Sequence, residues 1–263
     1  MSFEQVDDLD MYYEIVGDGE PVLLIHGLGS STKDWEYQLE SFSKNHKVIT
    51  LDVRGHGQTT KASGQYSIEL FATDIVKLMQ KLHIDSFHIV GLSMGGMLAF
   101  QLALDIPDKV KSITVVNSGP GFVSTAFKLK MIFMFRILTL KLFGLKAAAP
   151  RVAKGLFPNG SNPALTKKFI ERYVQNHKPS YLKSMKALVN WNVTQRIHGI
   201  NCPVLIVAAD NDYTSVASKQ FYIDKIPNAE LTIVKKSHHA LPVEKPTEFN
   251  SIVLNFLTKL ANV

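Results

Sequence analysis

The sequence lacks several features that mark particular classes of protein. It has one cysteine among 263 residues, Cys202, so no internal disulfide can form and a cytoplasmic location is expected. Its first residues, MSFEQVDD, are acidic and contain no apolar segment, so they do not resemble a signal peptide. The most apolar stretch, residues 131–143, is interrupted by Arg136 and Lys141 and is shorter than the roughly 18 apolar residues of a membrane span. These absences predict a protein that makes no stable insertion into a membrane.

Acidic residues are nearly absent from one part of the chain. Between Pro120 and Ile200 there are fourteen basic residues and one acidic residue, Glu171, a net charge of +13. The remainder carries fifteen basic and twenty-two acidic residues, a net charge of −7. A cationic rim over a cleft raises the local concentration of anionic ligands, so we expect a small anionic substrate and no nucleic-acid partner.

Short apolar segments alternate with amphipathic ones along most of the chain. After a hairpin near the N-terminus, the apolar segments predict buried strands at residues 21–26, 47–51, 86–90, 110–116, 203–209 and 230–234. Helical patterns separate these strands, including one from Thr32 to Lys44, one opened by Ser67 as N-cap, and a last one over 242–260. The pattern predicts an α/β fold with a mostly parallel, doubly wound sheet. We expect a core of residues 1–119 and 201–263 and a helical cap of residues 120–200.

A glycine-flanked serine ends one of the predicted strands. Gly91-Leu92-Ser93-Met94-Gly95 has the G-x-S-x-G spacing of a nucleophile elbow, in which a serine lies on a strained turn between a strand and a helix. Side chains at positions 91 and 95 would collide with the neighbouring strand and helix, which is why glycine is needed there. Residues 97–104 are good helix formers, so strand, turn and helix are all present.

Acidic and imidazole side chains follow two later strands. Asp210-Asn211-Asp212 ends the strand over 203–209, and Ser237-His238-His239 follows the strand over 230–234. In open α/β sheets, ligands bind outside the carboxyl ends of the strands, so these side chains are expected near the serine. The order serine, aspartate, histidine is the one that nucleophile-elbow hydrolases use.

These motifs, together with His26-Gly27-Leu28-Gly29, residues 52–59 and Glu244-Lys245-Pro246, resemble the α/β-hydrolase fold family over nearly the whole chain. The resemblance implies that Ser93 is the nucleophile, His239 its base and Asp212 the acid that orients His239. It also implies an oxyanion hole formed by the backbone N–H groups of Leu28 and Met94, with both side chains on the pocket floor. His238 is expected to be structural, Asp210 to cap a turn, and Asp52, Arg54 and His56 to form a structural turn.

The apolar stretch of the cap is open to three interpretations. It is expected first to be a helix packed over the carboxyl edge of the sheet. Its side chains could also line a pocket above Ser93, for which Met131, Phe135 and Trp191 are the candidates. With the basic residues nearby, the cap could instead contact an anionic membrane surface peripherally.

The combined motifs predict a serine hydrolase that cleaves a carboxylic ester or lactone through an acyl-enzyme, without metal or cofactor. The turn at residues 27–32 approximates a dinucleotide-binding fingerprint, but Thr32 replaces its third glycine, so a cofactor is not expected. One alternative is an enol-lactonase or carbon-carbon bond hydrolase of aromatic degradation, which the resemblance also includes. Another is a small-molecule receptor on the same fold that turns substrate over slowly.

Overall fold

The computed structural model describes residues 2–121, 127–158 and 162–261. Within these residues the chain forms an eight-stranded sheet with the order β1-β2-β4-β3-β5-β6-β7-β8. Strands β3 to β8 are parallel, and the N-terminal hairpin joins the sheet through antiparallel pairing of β2 with β4. The strands span Ser2–Val6 (β1), Leu9–Val16 (β2), Glu20–Ile25 (β3), His46–Leu51 (β4), Phe87–Leu92 (β5), Val110–Val116 (β6), Val204–Ala209 (β7) and Ala229–Val234 (β8).

Two apolar layers cover the sheet. Every residue of β5 and of β7 is buried, as expected for central parallel strands covered on both faces. One layer contains the buried faces of helices α2 (Ile68–Lys81) and α3 (Met94–Asp105), and the other contains α9 (Pro246–Ala261). This arrangement confirms the predicted doubly wound α/β fold.

Most of the predicted elements are present, but two predicted helices are divided. The segment predicted as one helix from Thr32 to Lys44 is a 3₁₀ turn, Thr32–Trp35, followed by the short helix α1, Leu39–Phe42. The turn is fixed because Asp52 Oδ1 accepts the N–H of Thr32 at 2.7 Å. The predicted last helix is likewise divided into α8 (Leu241–Glu244) and α9, because Pro246 has no N–H to continue α8.

Helices occupy most of the segment between β6 and β7. They are α4 (Phe127–Leu156), α5 (Pro163–Tyr173) and α6 (Lys178–Asn190), and α7 (Val216–Ile223) follows β7. Gly144 interrupts α4 with a φ of 77°, so the chain bends there. The helical character expected for residues 120–200 is therefore confirmed where the structure describes them, and their treatment as a separate cap stays a prediction.

Helix α4 packs one side against the core and exposes large apolar side chains on the other. Phe133 and Leu140 belong to the main apolar cluster. The exposed side chains are those of Ile132, Met134, Phe135, Leu138, Leu142 and Phe143, the last of which is 69% exposed. Of the helices described, none combines the length and the apolar character that crossing a bilayer requires.

Candidate active site

Ser93 lies on a strained turn at the end of β5. Its backbone has φ 54° and ψ −109°, outside the regions that L-residues ordinarily occupy. The turn is held because the Ser93 N–H donates to Val116 O at 2.9 Å and the Ser118 hydroxyl donates to Ser93 O at 2.6 Å. A Cβ at Gly91 would collide with the carbonyl of Gly95, and one at Gly95 with the carbonyl of Ile25. The predicted reason for both glycines is thus confirmed.

Asp212 and His239 follow neighbouring parallel strands, β7 and β8, and their side chains meet. His239 Nδ1 donates to Asp212 Oδ1 at 2.8 Å, and the Asp212 carboxylate is fully buried. Burial opposes ionisation of Asp212, but its contacts with His239, Lys219 and Thr214 outweigh burial and lower the pKa of Asp212 to about 2. Asp212 is therefore ionised and fixes the imidazole with Nδ1 protonated and Nε2 as a hydrogen-bond acceptor.

A buried lysine on α7, Lys219, holds the second oxygen of Asp212. Its Nζ donates to Asp212 Oδ2 at 3.0 Å and to the Thr214 carbonyl at 2.6 Å, and its side chain is 1% exposed. The Thr214 hydroxyl also donates to Asp212. Sequence reasoning missed Lys219, because a single lysine in a helix is ordinarily solvated and nothing in its spacing indicates an ion pair.

The side chain of Tyr213 lies at the same cavity as Ser93 and His239. Its hydroxyl donates to His239 Nε2 at 2.6 Å, and its ring stacks on the imidazole with centroids 4.1 Å apart. Although part of the residue is exposed, burial is the largest cause that raises the pKa of Tyr213. Ser93, Tyr213 and His239 therefore line one cavity, and the Tyr213 hydroxyl lies on the nitrogen of His239 that faces away from Asp212. Sequence reasoning did not single out this residue.

Two backbone N–H groups near Ser93 are available to a ligand. Met94 is the first residue of α3, where backbone N–H groups have no acceptor within the helix. In the described part of the chain, neither the Met94 nor the Leu28 N–H donates a hydrogen bond to the protein. Leu28 lines the cavity at Ser93, but the Met94 side chain is fully buried in the core. The expectation that both side chains line the pocket floor is thus wrong for Met94, because the turn directs its side chain into the apolar layer.

A buried histidine supports the loop that carries Leu28. His26 Nδ1 donates to Gly27 O at 2.7 Å, and its Nε2 accepts the N–H of Val53 at 3.0 Å. Burial lowers the pKa of His26 to about 4, so the ring is neutral at physiological pH and keeps this tautomer. His26 thereby positions the Leu28 N–H without touching the reacting groups.

Several residues that were expected from the sequence to be structural make hydrogen bonds, ion pairs or ring contacts within the protein. His238 Nδ1 pairs with Glu244 Oε1 at 2.6 Å, and Asp210 Oδ1 accepts the N–H of Ser237 at 3.2 Å. Asp52 accepts the Gln58 N–H at 2.7 Å, and Arg54 pairs with Asp74 at 2.7 Å. His56 lies against His26, with ring centroids 5.2 Å apart.

Asn117 is a further positioning residue, at the end of β6. Its Nδ2 donates to the carbonyls of His238 and His239 at 3.1 and 3.0 Å, and its Oδ1 accepts the N–H of Ala209 at 2.8 Å. It therefore ties the histidine loop to the end of β7. From the sequence, Asn117 and Ser118 indicated only that the end of this strand provides no acidic side chain to orient the histidine.

A cavity of about 110 Å³ lies over Ser93 and His239. A neighbouring cavity of about 260 Å³ shares the side chains of Phe133, Arg136, Val152, Leu156 and Tyr213 with it. Both are smaller than the roughly 300–1,000 Å³ of sites for drug-sized ligands, which favours a small substrate.

Of the three pocket candidates, one lines either of these two cavities. Phe135 lines the neighbouring cavity, whereas Met131 is absent from the walls of both. Trp191 is also absent from both walls; it is 3% exposed, and its indole N–H donates to Gln101 Oε1 at 2.7 Å. The expectation for Trp191 is wrong, because that hydrogen bond holds its ring in the core. Met131 stays a prediction; Phe133 and Arg136 are the side chains of α4 that line both cavities.

Comparison with known proteins gives matches along most of the chain. A family model described as the alpha/beta hydrolase fold matches residues 20–246. A protein of Caulobacter sp. named "Putative carbamate hydrolase RutD" is 29% identical over 259 residues, covering 94% of this chain and 96% of that protein. The 3-oxoadipate enol-lactonase 2 of Acinetobacter baylyi is 29% identical over 252 residues, 94% of this chain and 92% of that protein.

Solved structures share the architecture as well. The crystal structure of the enol-lactonase from Burkholderia xenovorans superimposes with a TM-score of 0.91 at 24% sequence identity. The match covers 97% of this chain and 99% of that one. At this level of identity the likeness shows the fold.

Proposed function

The chain belongs to the alpha/beta hydrolase fold family, and from that premise we propose that it is a serine hydrolase of small carboxylic esters or lactones that carry an anionic group. The observation that carries the proposal is the hydrogen bond of 2.8 Å from His239 to Asp212, at the same cavity as the strained Ser93. The proposed reaction proceeds through an acyl-enzyme and uses neither a metal nor a cofactor.

In the proposed mechanism, Ser93 Oγ attacks the carbonyl carbon of the substrate while its proton passes to His239 Nε2. The oxyanion that forms accepts hydrogen bonds from the N–H groups of Leu28 and Met94. His239 then gives the proton to the leaving oxygen, and the ester bond breaks. A water molecule activated by His239 releases the acid in the same way.

Tyr213 adds one requirement to this cycle. Because its hydroxyl occupies His239 Nε2, it must leave that position before the base can take the Ser93 proton. Hydrogen bonds in a site without substrate often rearrange when the substrate binds. We propose that substrate entry displaces the Tyr213 hydroxyl.

Two other enzyme activities fit the same constellation. The names of the relatives, carbamate hydrolase and enol-lactonase, indicate carbonyl substrates that a serine nucleophile can attack. Carbon-carbon bond hydrolysis also remains a candidate from the sequence motifs. We favour esters and lactones because the relatives include a 3-oxoadipate enol-lactonase and because Ser93, His239 and Asp212 are the groups that acyl transfer needs. We also propose the cytoplasm as the location of the protein.

Hydrolysis of a substrate panel tests the proposal. The panel contains 4-nitrophenyl acetate, an enol-lactone and an aryl carbamate, each assayed with the wild type, Ser93→Ala and Ser251→Ala. We expect turnover with kcat of about 1 s⁻¹ or more on at least one ester or lactone. Ser93→Ala should lower kcat at least about 10³-fold, whereas the exposed Ser251 should be replaceable. Turnover that survives in Ser93→Ala would refute the nucleophile, and acylation without turnover would favour the receptor alternative.

A further inference from the structure

One arginine of the cap faces the catalytic cavity without a carboxylate partner. Of the fourteen basic residues between Pro120 and Ile200, three line this cavity: Arg136, Lys168 and Arg172. Lys168 and Arg172 both pair with Glu36, at 2.6 and 3.3 Å. Among the residues that the structure describes, Arg136 has no carboxylate within ion-pair distance. Arg136 is therefore the one of these three cations without an ion-pair partner among the described residues.

Aromatic rings hold Arg136 in place without neutralising it. The guanidinium carbon lies 5.8 Å from the ring centroid of Tyr173 and 5.3 Å from that of Tyr181. Nη2 donates to the Tyr181 hydroxyl. Contacts of this kind fix a cation by the ring quadrupole and leave its full charge available to a ligand.

Two polar atoms near this guanidinium are buried and unused. Arg136 Nε and the Tyr173 hydroxyl each lie out of contact with solvent and lack a hydrogen-bond partner. Tyr173 is 0% exposed and lines the same cavity as Ser93. Leaving a buried donor unpaired costs about 1–3 kcal/mol, so a site with two of them close together is suited to an acceptor from outside the protein.

The acids at this cavity are already engaged. Glu36 accepts from Lys168 and Arg172, and Asp34 accepts from the Ser30 hydroxyl. Arg136 also lines the same cavity as Ser93 and His239. A ligand that reaches Arg136 can therefore span to Ser93 in a cavity of about 110 Å³.

We propose that Arg136 and the Tyr173 hydroxyl bind a carboxylate of the substrate that does not itself react. Arginine is suited to this role because its planar fork matches the two oxygens of a carboxylate. The inference rests on the proposed hydrolase function and narrows its substrates to small esters or lactones that carry a second, free carboxylate. Each turnover would then release a dicarboxylic acid, or a hydroxy acid with a further carboxylate.

A matched pair of esters tests this assignment by kinetics. The mono-4-nitrophenyl ester of adipic acid carries a free carboxylate, and its methyl-masked counterpart, 4-nitrophenyl methyl adipate, does not. We expect the wild type to prefer the free acid about 10- to 100-fold in kcat/KM, as for a hydrogen-bonded charge. Arg136→Gln should abolish that preference, and Arg136→Lys should restore part of it. Arg196→Gln, which removes a half-exposed arginine outside both cavities, should keep the preference.

Binding to an inactive protein separates this inference from the proposed function. Titration calorimetry with monomethyl adipate and dimethyl adipate compares the Ser93→Ala protein with the double variant that carries Ser93→Ala and Arg136→Gln. We expect only the monoanion to bind, and only when Arg136 is present. If wild type hydrolyses the masked ester but shows neither preference nor selective binding, the carboxylate site is wrong while the hydrolase stands. If the monoanion binds through Arg136 but no ester or lactone is hydrolysed, the site is upheld and the proposed reaction fails.

Discussion

The hydroxyl of Tyr213 occupies the nitrogen of His239 that acts as the base in the proposed mechanism. The sequence motifs assign Tyr213 no role, yet its hydroxyl lies 2.6 Å from the nitrogen that must accept the Ser93 proton. The phenol is protonated at neutral pH, because burial of the hydroxyl raises the pKa of Tyr213. It therefore competes with Ser93 for His239 Nε2 in the unliganded protein.

Tyr213→Phe should remove this competition while keeping the stacked ring. We expect the second-order rate constant for acylation by a neutral ester to rise about tenfold, the equivalent of one ordinary hydrogen bond. Stopped-flow measurement of the nitrophenolate burst gives this constant directly. A fall of tenfold or more would mean that the hydroxyl relays the proton rather than blocking its path.

Lys219 is a second residue that the sequence motifs do not identify, and it acts on the site through Asp212. Because the pKa of Asp212 is lowered from 3.8 to about 2 in the folded protein, the stability from its charge is present above about pH 4 and lost as pH falls towards 2. Lys219 contributes to that lowering through the ion pair of 3.0 Å. It is a positioning residue, since it touches Asp212 and not the substrate.

Lys219→Met should change both stability and the pH profile. Breaking a buried pair from one side costs about 3–5 kcal/mol, which urea unfolding at pH 7 measures. Loss of the cation raises the pKa of Asp212, so the acid limb of the kcat/KM profile, where Asp212 is protonated, should move upwards. Lys225→Met, at an exposed lysine just after α7, should change neither quantity. A destabilised protein with an unmoved acid limb would show that Lys219 serves folding alone.

At the scale of elements, α4 has an outward face of a kind that soluble proteins rarely expose. Large apolar side chains are exposed on it, among them Met134, Leu138 and Leu142, the last of which is 65% exposed. Contiguous apolar patches usually mark a surface that something covers. Two copies of a segment with net charge +13 would repel each other, so we expect an anionic membrane surface and not a second copy to be that partner.

Vesicle binding tests this expectation for α4. The wild type should sediment with vesicles that contain phosphatidylglycerol and remain in solution with phosphatidylcholine alone. Phe143→Glu should weaken sedimentation, whereas Phe221→Glu, at an equally apolar exposed site outside the cap, should not. If the wild type stays in solution with both vesicles, the peripheral contact is refuted, and a concentration-dependent dimer would identify a second copy as the partner.

At the scale of the whole molecule, the features that could be predicted from the sequence are those set by local residue spacing and by the order of the strands. The Gly91-to-Gly95 turn, the sheet and the meeting of Asp212 with His239 all follow from strand order, because parallel strands end at one edge. Tyr213, Lys219, Asn117 and Arg136 could not be found in this way, since their roles depend on side-chain directions and on pairs distant in sequence. The wrong expectation for Trp191 has the same cause, because its partner Gln101 lies ninety positions away.

The central claim is that Ser93 is a nucleophile activated by His239 and Asp212. Covalent labelling with a fluorophosphonate tests it most directly, with the modified peptide located by mass spectrometry. We expect a single adduct on Ser93, formed much more slowly in His239→Gln and absent in Ser93→Ala. An adduct that persists in Ser93→Ala, or a wild type that remains unlabelled while a known serine hydrolase reacts beside it, would contradict the account.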